Sequence, residues 1–329
     1  MQTRERLLAF LEENKGRYLS GEQIAQALSV SRAAVWKAVQ GLRSAGYEID
    51  AVPHKGYSLS LQSDRLSPQG IGKYLEPACG GLAIDVLPEV DSTNTVVRAR
   101  AAAGAAEGCP VLAVRQTQGR GRRGRSFFSP ADTGVYLSIL LRPGQAQAGR
   151  LTTMAAAAAC QAIETVSGEA AQIKWVNDIF LRGRKVGGIL TEAAFALEDG
   201  AVDYAVLGVG MNVYPPQDGF PAALSDIAGS VFRAPQDDGK NRMAAAFLNR
   251  FMSYYTAQQP ESYVDEYRRR SLAIGRTVEV QQLGGARRAT VLDVDDACRL
   301  VVRYEDGTAG RLSAGEITMR LAGEGGAPA

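Results

Sequence analysis

The chain has 329 residues, 46% of them apolar and 22% charged, with a formal net charge of +2. That length exceeds what one core organises and the apolar share fills a sizeable interior, so two or three folded domains are expected and a disordered chain is excluded. So small a net charge also excludes a global field for nucleic acid or phosphate, and any such preference must come from local clusters.

"TRERLLAFLEEN", from Thr3, carries Leu7, Leu8, Phe10 and Leu11 at helical spacing. A second helix follows, with Ser20 and Gln23 spaced as a capping box and Ile24 and Leu28 on its inner face. After the short turn "SVS", the third helix "RAAVWKAVQGLRSAG" sets Val35, Val39 and Leu42 on one side and stops near Gly46. Two short helices joined by so tight a turn form a helix-turn-helix. The third helix holds no acid, and "YEIDAVPHKGYSLS" reads as two strands around a basic tip. Ser31, Arg32, Lys37 and Arg43 of the helix and Lys55 of this wing are therefore the expected DNA-binding residues. A helical interaction module with solvated charges is the rival reading.

"SDRLSPQG" reads as a linker, and beyond it the pattern changes. "AIDVLPEV", "CPVLAVRQT", "GVYLSILL", "AQIKWVNDIFL", "KVGGILTEA" and "AVDYAVLGVGMNV" are strand candidates rich in Val, Ile, Leu and Tyr. "NTVVRARAAAGA" and "RLTTMAAAAACQAIETVSG" are helical, the alanine run permitting close packing on a sheet. A further helical region, "RMAAAFLNRFMSYYTAQQPESYVDEYRRRS", ends near Ser271, and the tail from Gly275 alternates apolar and polar residues between Gly-Gly, Asp-Asp and Asp-Gly turns, as a small antiparallel barrel does. The expected division is roughly residues 1–63, 64–272 and 273–323.

Four dense stretches could carry chemistry. "QTQGRGRRGR", Gln116 to Arg125, concentrates arginine among glycines with no acid to balance it. It lacks the G-x-x-x-x-G-K-[ST] spacing of a P-loop, but its guanidiniums suit a polyanion, as does a flexible backbone. An RGG-like nucleic-acid arm is the rival, disfavoured by strand-like flanks inside a folded domain. In "IKWVNDIFLRGRKVGGIL", Lys174, Asn177, Asp178 and Lys185 lie among apolar neighbours, where a charge costs several kcal/mol unless paired. That stretch reads equally as a salt bridge at a hairpin. "DSTN", Asp91 to Asn94, is a helix cap or a polar ligand contact, and "GVGMN", Gly208 to Asn212, ends a buried strand with glycines able to line a pocket.

Chemistry through histidine is disfavoured, because His54 is the only one and lies outside any nucleophile motif. Cys79, Cys109, Cys160 and Cys298 are too dispersed for a zinc knuckle or a disulfide scaffold, and no metal ligands are assigned. "MQTRERLLAF" lacks the features of a signal peptide and no apolar run is long enough to cross a bilayer, so the expected setting is cytoplasmic, with no membrane partner.

The order DSTN, Q-x-x-G-R-G-R-R-G-R, K-W-x-N-D, R-K-x-x-G-I-L and G-x-G-x-N resembles that of bacterial biotin protein ligases, and the winged helix resembles the bifunctional form that also represses biotin operon transcription. The resemblance implies an α+β multidomain fold: an N-terminal winged helix-turn-helix, a central mixed β-sheet with flanking helices, and an SH3-like C-terminal barrel. It implies ATP and biotin as substrates with Mg²⁺, formation of biotinyl-5′-AMP, and transfer of biotin to a lysine of a biotin carboxyl carrier protein. Operator DNA is the second partner, bound by a homodimer that adenylate favours. By matching position, Ser92, Thr93, Asn94, Gln116, Arg120, Gly121, Arg122 and Lys185 would contact biotin. Arg122, Arg125, Phe127, Lys174, Asn177 and Asn212 would face the nucleotide, and Lys185, Arg120, Arg122 and Asp178 would carry catalysis, Asp178 by orienting the incoming amine. The arginine loop would close over the adenylate as a lid ordered by its ligand. Phe127 and Val176 stand where relatives often have tryptophan and proline, a smaller aromatic platform and a looser backbone. A sensor that binds biotin without chemistry, and a lipoate ligase, are the alternatives.

Overall fold

The structure, a computed structural model, describes residues 2–196, 200–257, 262–282, 285–313 and 316–319. Three helices, α1 (Thr3–Glu13), α2 (Gly21–Leu28) and α3 (Arg32–Ser44), precede a hairpin of β1 (Ile49–Val52) and β2 (Gly56–Leu59). The capping box forms as spaced: Ser20 Oγ accepts from Gln23 N at 3.1 Å, and Ser20 N donates to Gln23 Oε1 at 2.9 Å. Leu7, Leu11, Ile24, Val35, Val39 and Leu59 close a core of their own. A winged helix-turn-helix results.

After α4 (Pro68–Gly72) the main sheet begins with β3 (Asp85–Val90), α5 (Thr93–Ala102), β4 (Val111–Gln116) and β5 (Gly134–Leu141). The short α6 (Gln145–Ala148) and α7 (Leu151–Ser167) lead to β6 (Gln172–Lys174), β7 (Asp178–Leu181), β8 (Arg184–Phe195) and β9 (Val202–Asn212). The order is β3-β4-β5-β9-β8-β7-β6, with β3 and β4 parallel and the other neighbours antiparallel. This is the mixed sheet expected. All eight residues of β5 are buried, as befits a strand covered on both faces. Ala155 to Ala159 of α7 are wholly buried in the core, with α7 packed on α8 (Gly239–Tyr255), so the alanine run lets elements approach closely. A smaller apolar cluster, Val97, Ala101, Val111, Leu140 and Val206, joins α5 to the sheet.

Two expected elements divide. "AQIKWVNDIFL" is a hairpin, with Lys174 paired to Asp178 across a turn that contains the cis Trp175–Val176 peptide. Asn177 lies in this turn, its backbone oxygen accepting from Ile189 N at 3.0 Å and its Nδ2 donating to Ile189 O at 2.9 Å, next to the Asp178–Gly188 pair of β7 and β8. The long helical region resolves into α8 and α9 (Val264–Arg269), and its residues 258–261 lie outside those described. The tail forms an antiparallel sheet of β10 (Thr277–Gln282), β11 (Gly285–Val294), β12 (Leu300–Tyr304), β13 (Ala309–Leu312) and β14 (Glu316–Met319), in the order β13-β12-β11-β10-β14. It is tied to the β6–β7 turn where Trp175 Nε1 donates to Cys298 O at 3.0 Å.

Between the winged helix and the main sheet lies a buried charged junction. Lys15 Nζ meets Asp238 Oδ1 at 2.7 Å, and Lys73 Nζ meets Asp238 Oδ2 at 2.5 Å and Glu12 Oε2 at 2.7 Å. Burial would raise the Asp238 carboxyl, but bonds from Lys15, Lys73 and Tyr74 hold it below the usual carboxylate range. At Glu12 burial outweighs Lys73 and the carboxyl is pushed up, so Asp238 is the stronger anion of the set. Next to it Asp64 accepts from the Tyr214 hydroxyl and from Lys240 N, and burial pushes its carboxyl up to about 6.

Candidate active site and nucleic-acid interface

The strand-to-helix junction at DSTN builds one wall of a cleft of about 430 Å³. Ser92 stands at the N-terminal cap position of α5 without a side-chain capping bond, and Thr93 and Asn94 are buried in the first turn. Thr93 N and Oγ1 donate to Gln116 Oε1 at 2.8 and 3.1 Å, while Gln116 Nε2 donates to Ser129 Oγ at 3.0 Å, which fixes the amide of Gln116. Ser138 Oγ lies 2.7 Å from Thr93 Oγ1 and 2.6 Å from Asn94 Oδ1. The floor is β9. A Cβ on Gly208 would stand 2.1 Å from Asn94 Oδ1, and one on Gly210 would stand 2.5 Å from the Phe127 ring, so only glycine admits both side chains.

The arginine stretch forms the second wall, and it is folded. Phe127 N donates to Gly119 O at 2.8 Å and Gly121 N to Arg125 O at 2.7 Å, with Arg120 bridged to Ser126 and Arg123 in the left-handed region at φ 55°. These backbone bonds hold the stretch as a small hairpin. Arg122 Nη1 donates to Asn177 Oδ1 at 3.1 Å. Arg120 Nη2 donates to Thr95 Oγ1 at 2.8 Å, and its Nη1 lies 3.6 Å from Glu192 Oε1. The Phe127 ring packs edge-on to Tyr136 at a centroid distance of 6.4 Å.

The third wall is the β6–β7–β8 turn region. Lys185 Nζ and Asp178 Oδ1 are 2.6 Å apart, both half-buried, so the hairpin salt bridge forms within the cleft lining. Lys174 Nζ sits 5.9 Å from the centroid of the Phe180 ring. Five cationic side chains line the cleft, Arg120, Arg122, Arg125, Lys174 and Lys185, against one carboxylate, Asp178. Cations in such excess, two of them bonded to the neutral oxygens of Thr95 and Asn177, suit an anion with several charges.

The structure thus brings together Ser92, Thr93, Asn94, Gln116, Arg120, Gly121, Arg122, Arg125, Phe127, Lys174, Asn177, Asp178 and Lys185. Asn212 is the exception. It is buried at the end of β9, off the cleft lining, and its Nδ2 donates to Gly229 O at 3.0 Å. Sequence reasoning missed Thr95, Ser129, Ser138 and Glu192, whose roles arise from partners distant in the chain. Leu224 and Ile227, from the segment after β9, were also unforeseen in the lining.

On the winged helix, Arg32, Lys37 and Lys55 are exposed, with Lys55 Nζ 5.9 Å from the centroid of the Tyr18 ring. Ser31 is exposed too, but its Oγ accepts from Ala34 N at 3.2 Å as the cap of α3. Arg43 is half-buried, its Nε donating to Ile49 O at 2.9 Å where the end of α3 meets the wing. Trp36 was overlooked. It is 58% exposed on the basic face, at a position out of phase with the buried Val35, Val39 and Leu42.

Three protein-family models match the chain: an HTH domain over residues 3–58, the biotin/lipoate A/B protein ligase family over residues 86–212, and the biotin protein ligase C-terminal domain over residues 273–320. The chain is 33% identical over 317 residues to the bifunctional ligase/repressor BirA of Bacillus subtilis, a match spanning 92% of this chain and 95% of that one. It is 36% identical over 235 residues to the biotin–[acetyl-CoA-carboxylase] ligase of Mycobacterium tuberculosis, spanning 67% of this chain and 83% of the relative. Among solved structures, the biotin protein ligase from Aquifex aeolicus in complex with biotin and ATP superposes with a TM-score of 0.59 at 23% identity, covering 72% of this chain and 98% of that one. That likeness establishes the fold.

Proposed function

Because this chain belongs to the family of bifunctional biotin ligase/repressors, we propose that its cationic cleft is where biotin and ATP meet and that Arg32, Lys37 and Lys55 present its winged helix to operator DNA. The protein is an ATP-dependent biotin protein ligase that forms biotinyl-5′-AMP and passes biotin to a lysine of a biotin carboxyl carrier protein, and it is a DNA-binding repressor. The observation that carries the site assignment is the convergence of five separate stretches of chain on one cleft with five cations and one carboxylate.

The chemistry asks for what the cleft offers. The biotin carboxylate attacks the α-phosphorus of ATP, an oxygen–phosphorus bond forms as the bond to pyrophosphate breaks, and two anions must be held together while this happens. Positioning and charge neutralisation are the main resources for such a transfer. Ser92, Thr93 and Gln116 hold the neutral end of biotin by hydrogen bonds, and Lys185 with Arg122 neutralises the carboxylate and the α-phosphate. Lys174, Asn177, Arg125 and Phe127 take the nucleotide, the Phe127 ring standing over the floor of the cleft. In the second step the carrier lysine amine attacks the acyl carbon, the bond to the adenylate oxygen breaks, and AMP leaves. Asp178 orients that amine and receives its proton, a role that fits a carboxylate at the cleft wall next to Lys185.

Mg²⁺ would come with ATP and supply neutralisation of its phosphates. The donor set fits that use: among the described residues no group of three metal-ligating side chains occurs, and Asp178 is the single carboxylate in the lining, as expected for an ion held chiefly by phosphate and water. The hairpin of Arg120 to Ser126 acts as the lid, keeping water from the mixed anhydride until the carrier docks.

The same reading places the protein in the cytoplasm, divides it roughly into residues 1–63, 64–272 and 273–323, and pairs two winged helices in an adenylate-bound homodimer on a two-fold operator of biotin genes. No helix among the described residues is long and apolar enough to cross a membrane. The test is to incubate the protein with ATP, Mg²⁺, biotin and a carrier domain and weigh the carrier. One biotinyl mass gain and biotin-dependent pyrophosphate release are expected. Gain with lipoate in place of biotin, or adenylation without the cleft cations, would overturn the reading.

A further inference from the structure

Glu192 of β8 lies outside the cleft lining, yet two segments that form the site, α5 and the arginine hairpin, meet at it. Its Oε2 accepts from Asn94 Nδ2 at 2.7 Å, and its Oε1 stands 3.6 Å from both Arg120 Nη1 and Arg98 Nη1. Arg120 completes the arrangement by donating Nη2 to Thr95 Oγ1 at 2.8 Å. The guanidinium of Arg120 is thus aimed at α5 and β8, whereas Arg122 meets only a neutral amide oxygen, Asn177 Oδ1, in its one described side-chain bond.

We infer that Glu192 is a positioning residue of the ligase reaction, clamping the arginine hairpin to the DSTN helix through Arg120 and setting the amide of Asn94. In this arrangement Arg120 is a strut that keeps the hairpin over the bound adenylate, and Arg122 is the arginine left to meet its phosphate. The inference rests on the ligase reading above. Its physical basis is that a carboxylate is an acceptor only, so it can hold an amide on one oxygen and attract two guanidiniums with the other. Each ion pair at 3.6 Å and about a third exposed is weak alone. Together with the two short hydrogen bonds they fix one rotamer of Arg120. Glutamine at 192 would keep an acceptor for Asn94 and lose the charge that faces Arg120, which separates the two arms.

The experiment follows preformed biotinyl-adenylate leaving the full-length protein. Wild type must first form the adenylate from ATP, Mg²⁺ and biotin, and failure there sinks the ligase reading and not this one. Glu192→Gln and Arg120→Gln are each expected to speed release about tenfold, and the double variant no more than either alone, since contacting residues in one network are not additive. Glu192→Asp, which keeps the charge, should stay within about threefold of wild type, a rescue that a packing role would not give. Release from Glu192→Gln at the wild-type rate, multiplicative effects in the double variant, or an aspartate as poor as glutamine would overturn the inference. Should Glu192→Gln not fold, Thr95→Val removes only the other partner of Arg120 and should speed release about threefold. Unchanged release from that variant would overturn it equally.

Discussion

At the junction between the winged helix and the sheet, Lys15 and Lys73 are largely shielded and share Asp238, whose side chain is only 2% exposed, with Glu12 and the exposed Asp237 completing the set. At the cleft, five cations face one carboxylate and the Lys185–Asp178 pair keeps about a third of its surface in water, 31% and 25%. The first arrangement fixes one domain on another, because a charge removed there strands its partners in a poor solvent. The second tolerates imbalance because water still reaches it, and the imbalance is what an anionic substrate relieves. The difference teaches that charge serves stability where the two signs balance away from water, and reactivity where one sign is in excess and partly wet.

Substitutions at the two regions should therefore change different observables. Asp238→Ala leaves Lys15 and Lys73 without their shared anion and is expected to cost about 3–5 kcal/mol in urea denaturation. A loss under about 1 kcal/mol would mean that the junction is hydrated and the contrast false. Lys185→Ala should instead slow single-turnover adenylate formation by about 10²–10³-fold, the cost of one donor to developing charge. Its unfolding midpoint should barely move, since a half-exposed pair contributes about 0–1 kcal/mol. Arg122→Gly is expected to speed adenylate dissociation about 10- to 100-fold, the range of a charge-assisted bond, and an unchanged dissociation rate would remove Arg122 from the phosphate.

Asp64 sharpens the comparison by pH. Its carboxyl, pushed by burial from 3.8 up to about 6, binds its proton more tightly folded than unfolded, so its contribution falls as pH rises from about 4 to about 6 and is level above. Asp64→Asn should gain on wild type by about 1–2 kcal/mol between pH 4 and pH 7 in urea midpoints, and a difference flat with pH would show the group to be hydrated. The smallest effect belongs to Arg43. Its removal should cost about 1 kcal/mol of stability by freeing the Ile49 carbonyl, and leave the salt dependence of operator binding as it was. Arg32→Ala, in contrast, should lower that salt slope by about one.

Much of the fold was legible along the chain. Ser20 and Gln23 announced a helix start by spacing, the third helix showed its inner face in Val35, Val39 and Leu42, and "GVYLSILL" read as a strand, which is β5. These are local effects, with partners a few residues away. The cleft was legible as a set of residue types, since cations among glycines point to an anion whatever their partners. Arg43 and Asn212 could not be placed this way, because the Ile49 and Gly229 carbonyls that claim them depend on how the wing and β9 meet their neighbours. Trp36 was hidden for a simpler reason: an aromatic residue in a helix is ordinarily taken for core.

By itself the sequence determined the helix caps, the strand and helix periods, and the supply of arginine, lysine and glycine for a cationic wall, all properties of short stretches. Only the tertiary structure decided that Glu192 faces Arg120, 72 positions away along the chain, and that Asp238 completes a cluster with Lys15 and Lys73. The physical reason is register. Which face of β8 a carboxylate occupies, and which lysine reaches a buried aspartate, depends on strand pairing and domain packing, and a slip of one residue would turn Glu192 to the other face of the sheet.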